Sequence, residues 1–208
     1  RILGAFTAAA RRAVDAGFEL LELHGAHGYL GSQFLSPLTN RREDDWGGSP
    51  EKRRRFLLEL VRRVRQEIDD AALLSVRLGV AEGAEGGLTV DEGVATARAL
   101  EDEGLDLIHV SHAGSRPAPL DPDSPFDPVL QLAGAIKPKL SIPVIGVGGV
   151  TTPEQGEAAL REGYCDLIAT GRAILADPGF ARKTVEGKRD QIVECRRCEP
   201  RCHHHQVI

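Results

Sequence analysis

The sequence contains no methionine, not even at its first position, so we expect a fragment of a longer protein whose natural start precedes Arg1. No stretch approaches the roughly 20 consecutive apolar residues that a membrane span needs, and nothing resembles a signal peptide. A membrane partner is not expected, and the cytoplasm is the expected compartment. Basic residues are not in excess: 26 Lys and Arg face 31 Asp and Glu, for a net charge of −5. Without a broad positive field the chain has no general attraction for nucleic acid or anionic lipid. The arginine runs Arg53-Arg54-Arg55 and Arg62-Arg63 alternate with Phe56, Leu57, Leu60, Val61 and Val64 at helical spacing, which predicts a solvated helix face. Cysteines are few, four in all, and three of them fall within eight residues near the end.

The 208 residues, 41% of them hydrophobic, suffice for one sizeable core. Five runs rich in Val, Ile and Leu predict strands at Glu19–Leu23, Leu73–Leu78, Leu105–Ser111, Ile142–Val147 and Asp166–Thr170. Between them lie amphipathic helices with legible ends. Thr89 and Glu92 predict a capping box, Thr152 with Pro153 and Gln155 another start, and Gly17, Gly104 and Gly163 predict helix stops. "DAGFELLELHG", "DEGLDLIHVSH" and "REGYCDLIATG" repeat one order: helix end, glycine, strand, then a small or polar residue. Helices alternating with parallel strands predict an α/β fold. A doubly wound sheet is one solution, but polar residues gathered after each strand favour a TIM (β/α)8 barrel. A whole barrel takes about 250 residues, so about five of its βα units are expected here and roughly three are missing. Residues 25–52 and 111–128 predict long, functional loops at one end of the barrel.

That end carries the chemistry. His24 and His27, three apart after a strand, can aim two imidazoles at one substrate oxygen, and Tyr29 adds a phenol able to deliver a proton. A pair of hydrogen-bonded loop histidines is the plainer alternative, and a zinc site lacks a third local ligand. Arg77 closes an apolar strand and needs an anionic or carbonyl partner, in a site or in a structural ion pair. "IPVIGVGGV" and "CDLIATGRA" are two consecutive strand–glycine–helix units, the arrangement that builds a phosphate site after the last two barrel strands. "CRRCEPRC" places Cys195, Cys198 and Cys202 at metal-ligand spacing. The reading is a [4Fe–4S] cluster, or zinc with His203, His204 or His205.

"HGAHGYLGSQFLSPLTNRREDDWGGSPEKRRRF" closely resembles the signature of the old yellow enzyme family of FMN-dependent NADH:flavin oxidoreductases, and "IPVIGVGGV…CDLIATGRAILADP" resembles its phosphate-binding end. The resemblance covers nearly the whole chain. It implies a TIM barrel, FMN, and reduction of a carbonyl-conjugated C=C bond with hydride from NAD(P)H. It implies that His24 and His27 hold the carbonyl oxygen of an enone or enoyl substrate, that Tyr29 is the proton donor, and that Arg77 lies against the flavin's pyrimidine edge. Gly148, Gly149, Gly171 and Arg172 would cradle the FMN phosphate. The cysteines resemble those of the iron–sulfur branch that includes 2,4-dienoyl-CoA reductase and trimethylamine dehydrogenase, whose members take a fourth cysteine about a dozen residues on. Those proteins also carry a C-terminal flavin- and nicotinamide-binding portion, so FAD would belong beyond this sequence. Two positions depart from the family. Trp46 stands where Tyr is usual, and His112 follows Ser111 where a smaller residue is usual and could reach the substrate. Residues 1–190 are thus expected to form a partial FMN-binding barrel and 191–208 the start of a cluster-binding segment. A non-catalytic half-barrel that binds phosphate or assembles with a partner or a second copy is the alternative.

Overall fold

The computed structural model describes residues 1–198; Cys202 and His203–His205 lie outside the described residues. Two compact units are present, one of residues 1–149 and 159–169, the other of residues 150–158 and 170–208.

The first unit is a five-stranded parallel sheet. Helix α1 (Ile2–Asp15) leads into β1 (Leu20–Gly25). Then follow α2 (Leu30–Leu35), α3 (Pro50–Ile68), β2 (Leu73–Gly79), α4 (Val90–Asp102), β3 (Leu107–Ser111), α5 (Pro128–Ile136) and β4 (Val144–Val147). Helix α6 (Pro153–Arg161) precedes β5 (Leu167–Ala169). The strands pair in chain order, β1-β2-β3-β4-β5, all parallel. A doubly wound sheet reverses its order at a switch point, whereas a barrel winds in one direction. The sheet is therefore five consecutive βα units of a TIM barrel. Gly17, Gly104 and Gly163 follow the helices with φ of 89°, 93° and 76°, as expected of stops that need the left-handed region. Both capping boxes form, at Thr89–Glu92 and at Thr152–Gln155.

Side chains alternate across each strand. Leu74, Val76, Leu78, Ile108, Val110 and Val144 are all fully buried on the helix-covered face. The other face is mixed. Leu20 and Leu73 stay 40% and 51% exposed at one end of the strands. Further along, His24, Arg77, His109 and Ile145 pair in one continuous row.

Several expected boundaries shift. β1 continues through His24 to Gly25, and β2 passes Arg77 by two residues, so both side chains are fixed by a strand. The segment 25–52 is not all loop, because α2 occupies part of it and stacks Phe34 on Phe56 of α3 at 4.3 Å. Arg53 corrects the solvated-face reading. It lies on the stripe of Phe56, Leu57 and Leu60 and is itself buried. Its guanidinium donates to Leu35 O at 2.8 Å, Gly48 O at 2.7 Å and Glu92 Oε1 at 2.6 Å. One side chain thus ties the loop after β1 to the start of α4. Arg62 and Arg63 are about half exposed and pair with Glu59 and Glu103, as a solvated face should.

In the second unit, α6 opens at Pro153. Gly171 precedes α7 (Arg172–Ala176), and α8 (Phe180–Val185) follows. Asp177, 5% exposed, accepts from Lys183 Nζ at 2.7 Å and from Val193 N at 2.9 Å. Among the described residues no helix is long and apolar enough to cross a membrane.

Replacing Arg53 with Ala leaves two carbonyls and a carboxylate without their donor. We expect a loss of about 3 kcal/mol, the scale for breaking one partner out of a buried ion pair, measured by urea unfolding. Arg53→Lys should recover only part of it. A loss below about 1 kcal/mol in the Ala variant would mean that water replaces the guanidinium.

Candidate active site at the strand ends

The C-terminal ends of β1 and β3 build one cluster. His24 is the next-to-last residue of β1, and the chain then turns through Ala26 and Gly28. His27 adopts φ 60°, a left-handed conformation that His tolerates better than most side chains. Its backbone N–H donates to His112 O at 3.2 Å, which joins the loop after β1 to the loop after β3. The His27 ring lies 5.2 Å from the His24 ring and 4.9 Å from the His112 ring. Tyr29, 65% exposed, sits 5.4 Å from His24. Its hydroxyl makes no hydrogen bond among the described residues, and its carbonyl accepts from Gln33 N and Ser32 Oγ at the start of α2.

Burial lowers the pKa of all three histidines, and the positive charge of Arg77 lowers each further; for His27 the fall is to about 4. The three rings are neutral near pH 7, and each has one N–H and one lone pair to use. His27 Nε2 lies 2.7 Å from Ser111 Oγ, and Ser111 is buried at the end of β3. This contact was not foreseen from the sequence, because 84 residues separate the pair. Only the register of β1 against β3 through β2 brings them together.

One layer deeper, Glu22 holds His109 Nδ1 at 3.1 and 3.3 Å across the intervening strand. Ser75 Oγ donates to the same carboxylate at 3.3 Å. Arg77 Nε is buried and has no partner among the described residues. The "LELH" and "LIHVS" strings carry the only available sign of this layer, a charged residue at an inward position of a strand.

Gly148 and Gly149 follow β4 with φ of 139° and 65°, backbone that glycine alone adopts with ease. A Cβ on Gly148 would come within 2.8 Å of Asp127 Oδ1. Asp127 caps α5 through Val129 N at 2.9 Å and pairs with Arg116 of the loop after β3. The two glycines therefore make room for a carboxylate that Arg116 neutralises. Gly171 and Arg172 belong to the second unit. Nothing within 4 Å obstructs a Cβ at Gly171, and the Arg172 side chain makes no hydrogen bond among the described residues. Cys195 and Cys198 are free thiols, the first partly and the second fully exposed. No group of three metal-ligating side chains forms among the described residues. Cys165 is buried in the first unit. Two depressions at the opposite ends of the strands are lined by the paired charges Arg65–Asp106 and Lys137–Asp166.

A family profile described as the NADH:flavin oxidoreductase / NADH oxidase family matches residues 1–191. The chain belongs to this family. It is 44% identical to an NADH oxidase of Thermoanaerobacter brockii over 206 residues, which cover 97% of this chain and 31% of that protein. A solved 2-naphthoyl-CoA reductase in complex with 2-naphthoyl-CoA superposes with a TM-score of 0.84 at 32% identity, over 93% of this chain and 30% of that one. An old yellow enzyme homologue from Zymomonas mobilis superposes with a TM-score of 0.73 at 27% identity, over 90% of this chain and 52% of that one. The chain thus spans about a third to a half of the length of these relatives. The barrel assignment agrees with the two solved structures.

The depressed His27 pKa has a consequence for stability in this member of the family. As pH falls below the ordinary value of 6.5, the unfolded chain binds a proton that folded His27 refuses until about pH 4. Stability should fall across that window. His27→Asn tolerates the same backbone and removes the titration, so its urea midpoint should fall less steeply between pH 7 and pH 4.5. Equal slopes in the two proteins would place the proton uptake elsewhere.

Proposed function

We propose that the chain forms part of an FMN-dependent oxidoreductase that reduces a carbonyl-conjugated C=C bond with hydride from NAD(P)H. One observation carries this reading: His24, His27 and Tyr29 gather at one strand end, beside Arg77, whose buried Nε has no partner among the described residues. A cationic guanidinium donor at that place fits the pyrimidine edge of a flavin. In the first unit, the Gly148 backbone after β4 is the part we assign to the FMN phosphate, in line with the resemblance of "IPVIGVGGV" to the family's phosphate-binding end. FMN, when bound, would supply the two-electron hydride chemistry that links NAD(P)H to the alkene.

The protein's own part is proton placement and electrostatics. His24 and His27, both neutral, donate N–H bonds to the substrate carbonyl oxygen as negative charge develops there. For His27 this requires that Ser111 O–H donate to Nε2, so that the free Nδ1 carries the hydrogen. Tyr29 gives its phenolic proton to the α-carbon, which completes addition of one hydride and one proton across the double bond. Its exposure lets solvent return that proton. His112, against His27, borders the substrate. An acyl thioester or enone of modest size is the substrate class that these groups suit.

Cys195, Cys198 and Cys202 we read as three ligands of a [4Fe–4S] cluster, with residues 191–208 as the start of its binding segment. The x2 and x3 spacing supports this reading, as do the two free thiols; such thiols also suit a reducing compartment such as the cytoplasm.

An absorbance spectrum of the purified holoprotein tests the flavin. Two visible flavin bands are expected, and a colourless protein that takes up no FMN would favour the phosphate-binding or partner-assembling half-barrel. In the yellow protein, Tyr29→Phe should slow alkene reduction on the order of 10² to 10⁴-fold while leaving flavin reduction by NAD(P)H nearly intact. Equal losses in both half-reactions would make Tyr29 structural. For the cluster, iron and sulfide assayed after anaerobic purification should fall to background in Cys198→Ala. Undiminished iron in that variant, or one equivalent of zinc in its place, would remove the cluster from the reading.

A further inference from the structure

Two buried side-chain nitrogens have no hydrogen-bond partner among the described residues: Arg77 Nε and His109 Nε2. They belong to residues that face each other as Cα partners on β2 and β3. Neighbouring strands lie about 4.8 Å apart, and paired side chains point to the same side. A buried hydrogen-bonding group left unmade is costly, so two on paired residues call for an explanation.

Their chemistry is complementary. Arg Nε–H only donates. His109 Nδ1 faces both oxygens of Glu22, at 3.1 and 3.3 Å. Burial works against charge on Glu22, but its hydrogen bond with His109 and the charge of Arg77 hold its pKa below the ordinary value. The carboxylate is therefore ionised and only accepts, so Nδ1 carries the hydrogen. With the hydrogen on Nδ1 of a neutral imidazole, Nε2 is a bare lone pair. Among the described residues, a donor with nothing to serve and an acceptor with nothing to accept thus sit on paired residues of adjacent strands.

We propose that Glu22 and His109 are positioning residues for Arg77. Glu22 fixes His109 in its Nδ1–H tautomer, and His109 Nε2 accepts the Arg77 Nε–H, which turns the terminal nitrogens of the guanidinium towards the flavin's pyrimidine edge. The last step rests on the flavin reading given above, and the first two do not. The arrangement extends the active-site layer to β3 and gives a role to the contact between Glu22 and His109 on the inner face of the sheet.

The test uses two partial mimics of imidazole in the FMN-loaded protein. Asn at position 109 places an amide near the former Nδ1 and keeps the Glu22 contact; Gln places one near the former Nε2 and keeps the Arg77 contact. In His109→Asn the preference of the site for reduced over oxidised FMN should fall about tenfold, equal to about 30 mV for a two-electron couple. In His109→Gln it should stay within about twofold of the parent. Glu22→Gln, whose amide can donate to Nδ1 and reverse the tautomer, should behave like His109→Asn and serves where that variant folds poorly.

A second readout needs no flavin. In ¹⁵N-labelled protein the Arg77 Nε–H resonance, assigned by its loss in Arg77→Lys, should move in His109→Asn and in Glu22→Gln but little in His109→Gln. If that resonance stays at its parent position in both, the positioning pair is refuted and Arg77 Nε has another acceptor. If it moves while the FMN preference is unchanged, the link to the flavin is refuted. If the parent protein takes up no FMN at all, the flavin reading fails, and the resonance still decides the pair.

Discussion

In-register pairing of β1, β2 and β3 is the constraint on which the rest of the site depends. The sheet buries Leu74, Val76, Leu78, Ile108 and Val110 completely on its helix-covered face. With a side-chain period of two, a slip of one residue would turn that whole apolar set away from the helices. The same register then obliges His24, Arg77 and His109 to stand in one row on the opposite face. Hydrophobic burial on one side of the sheet thereby aligns polar groups on the other, and the polar groups need supply none of the energy.

The loops are held by fewer and more specific contacts. Arg53 spends its donors on two loop carbonyls and Glu92, so the turn after β1 is anchored to both α3 and α4. Ser36 Oγ and Leu88 N both donate to Glu82 Oε2, at 2.6 and 3.0 Å, which ties the loop after β1 to the loop after β2. The bond from His27 N to His112 O joins it to the loop after β3. Rigid loops matter at such a site, because two imidazoles can share one oxygen only if neither ring is free to drift.

Charge in the site is set by depth. His24, His27 and His112 lose their protons through burial and through proximity to Arg77, so the substrate end is neutral and donor-rich. Glu22, below them, keeps its charge because His109 and Arg77 face it. A cationic guanidinium between a neutral rim and an anionic floor suits a cofactor ring that gains negative charge on reduction. Arg77 and its neighbours would then contribute mainly electrostatics, with the electron chemistry left to the flavin.

Much of this was legible in the residues alone. The strand–glycine–helix repeat reported the fold, because glycine stops and capping boxes are local and need no partner far along the chain. His24, His27 and Tyr29 stood out because three chemically active side chains fell within six residues after an apolar run. Arg53 was misread as solvated because its charge outweighed its place on the apolar stripe; the carbonyls that satisfy it lie in the loop after β1, which periodicity does not describe. His109 looked like an ordinary strand residue, and the Ser111 contact to His27 had no local sign at all. Those partners sit 84 and 87 residues apart, for Ser111 with His27 and for His109 with Glu22. Local sequence determined which residues could do chemistry. Only the parallel register, chosen by burial of the opposite face, decided which of them meet.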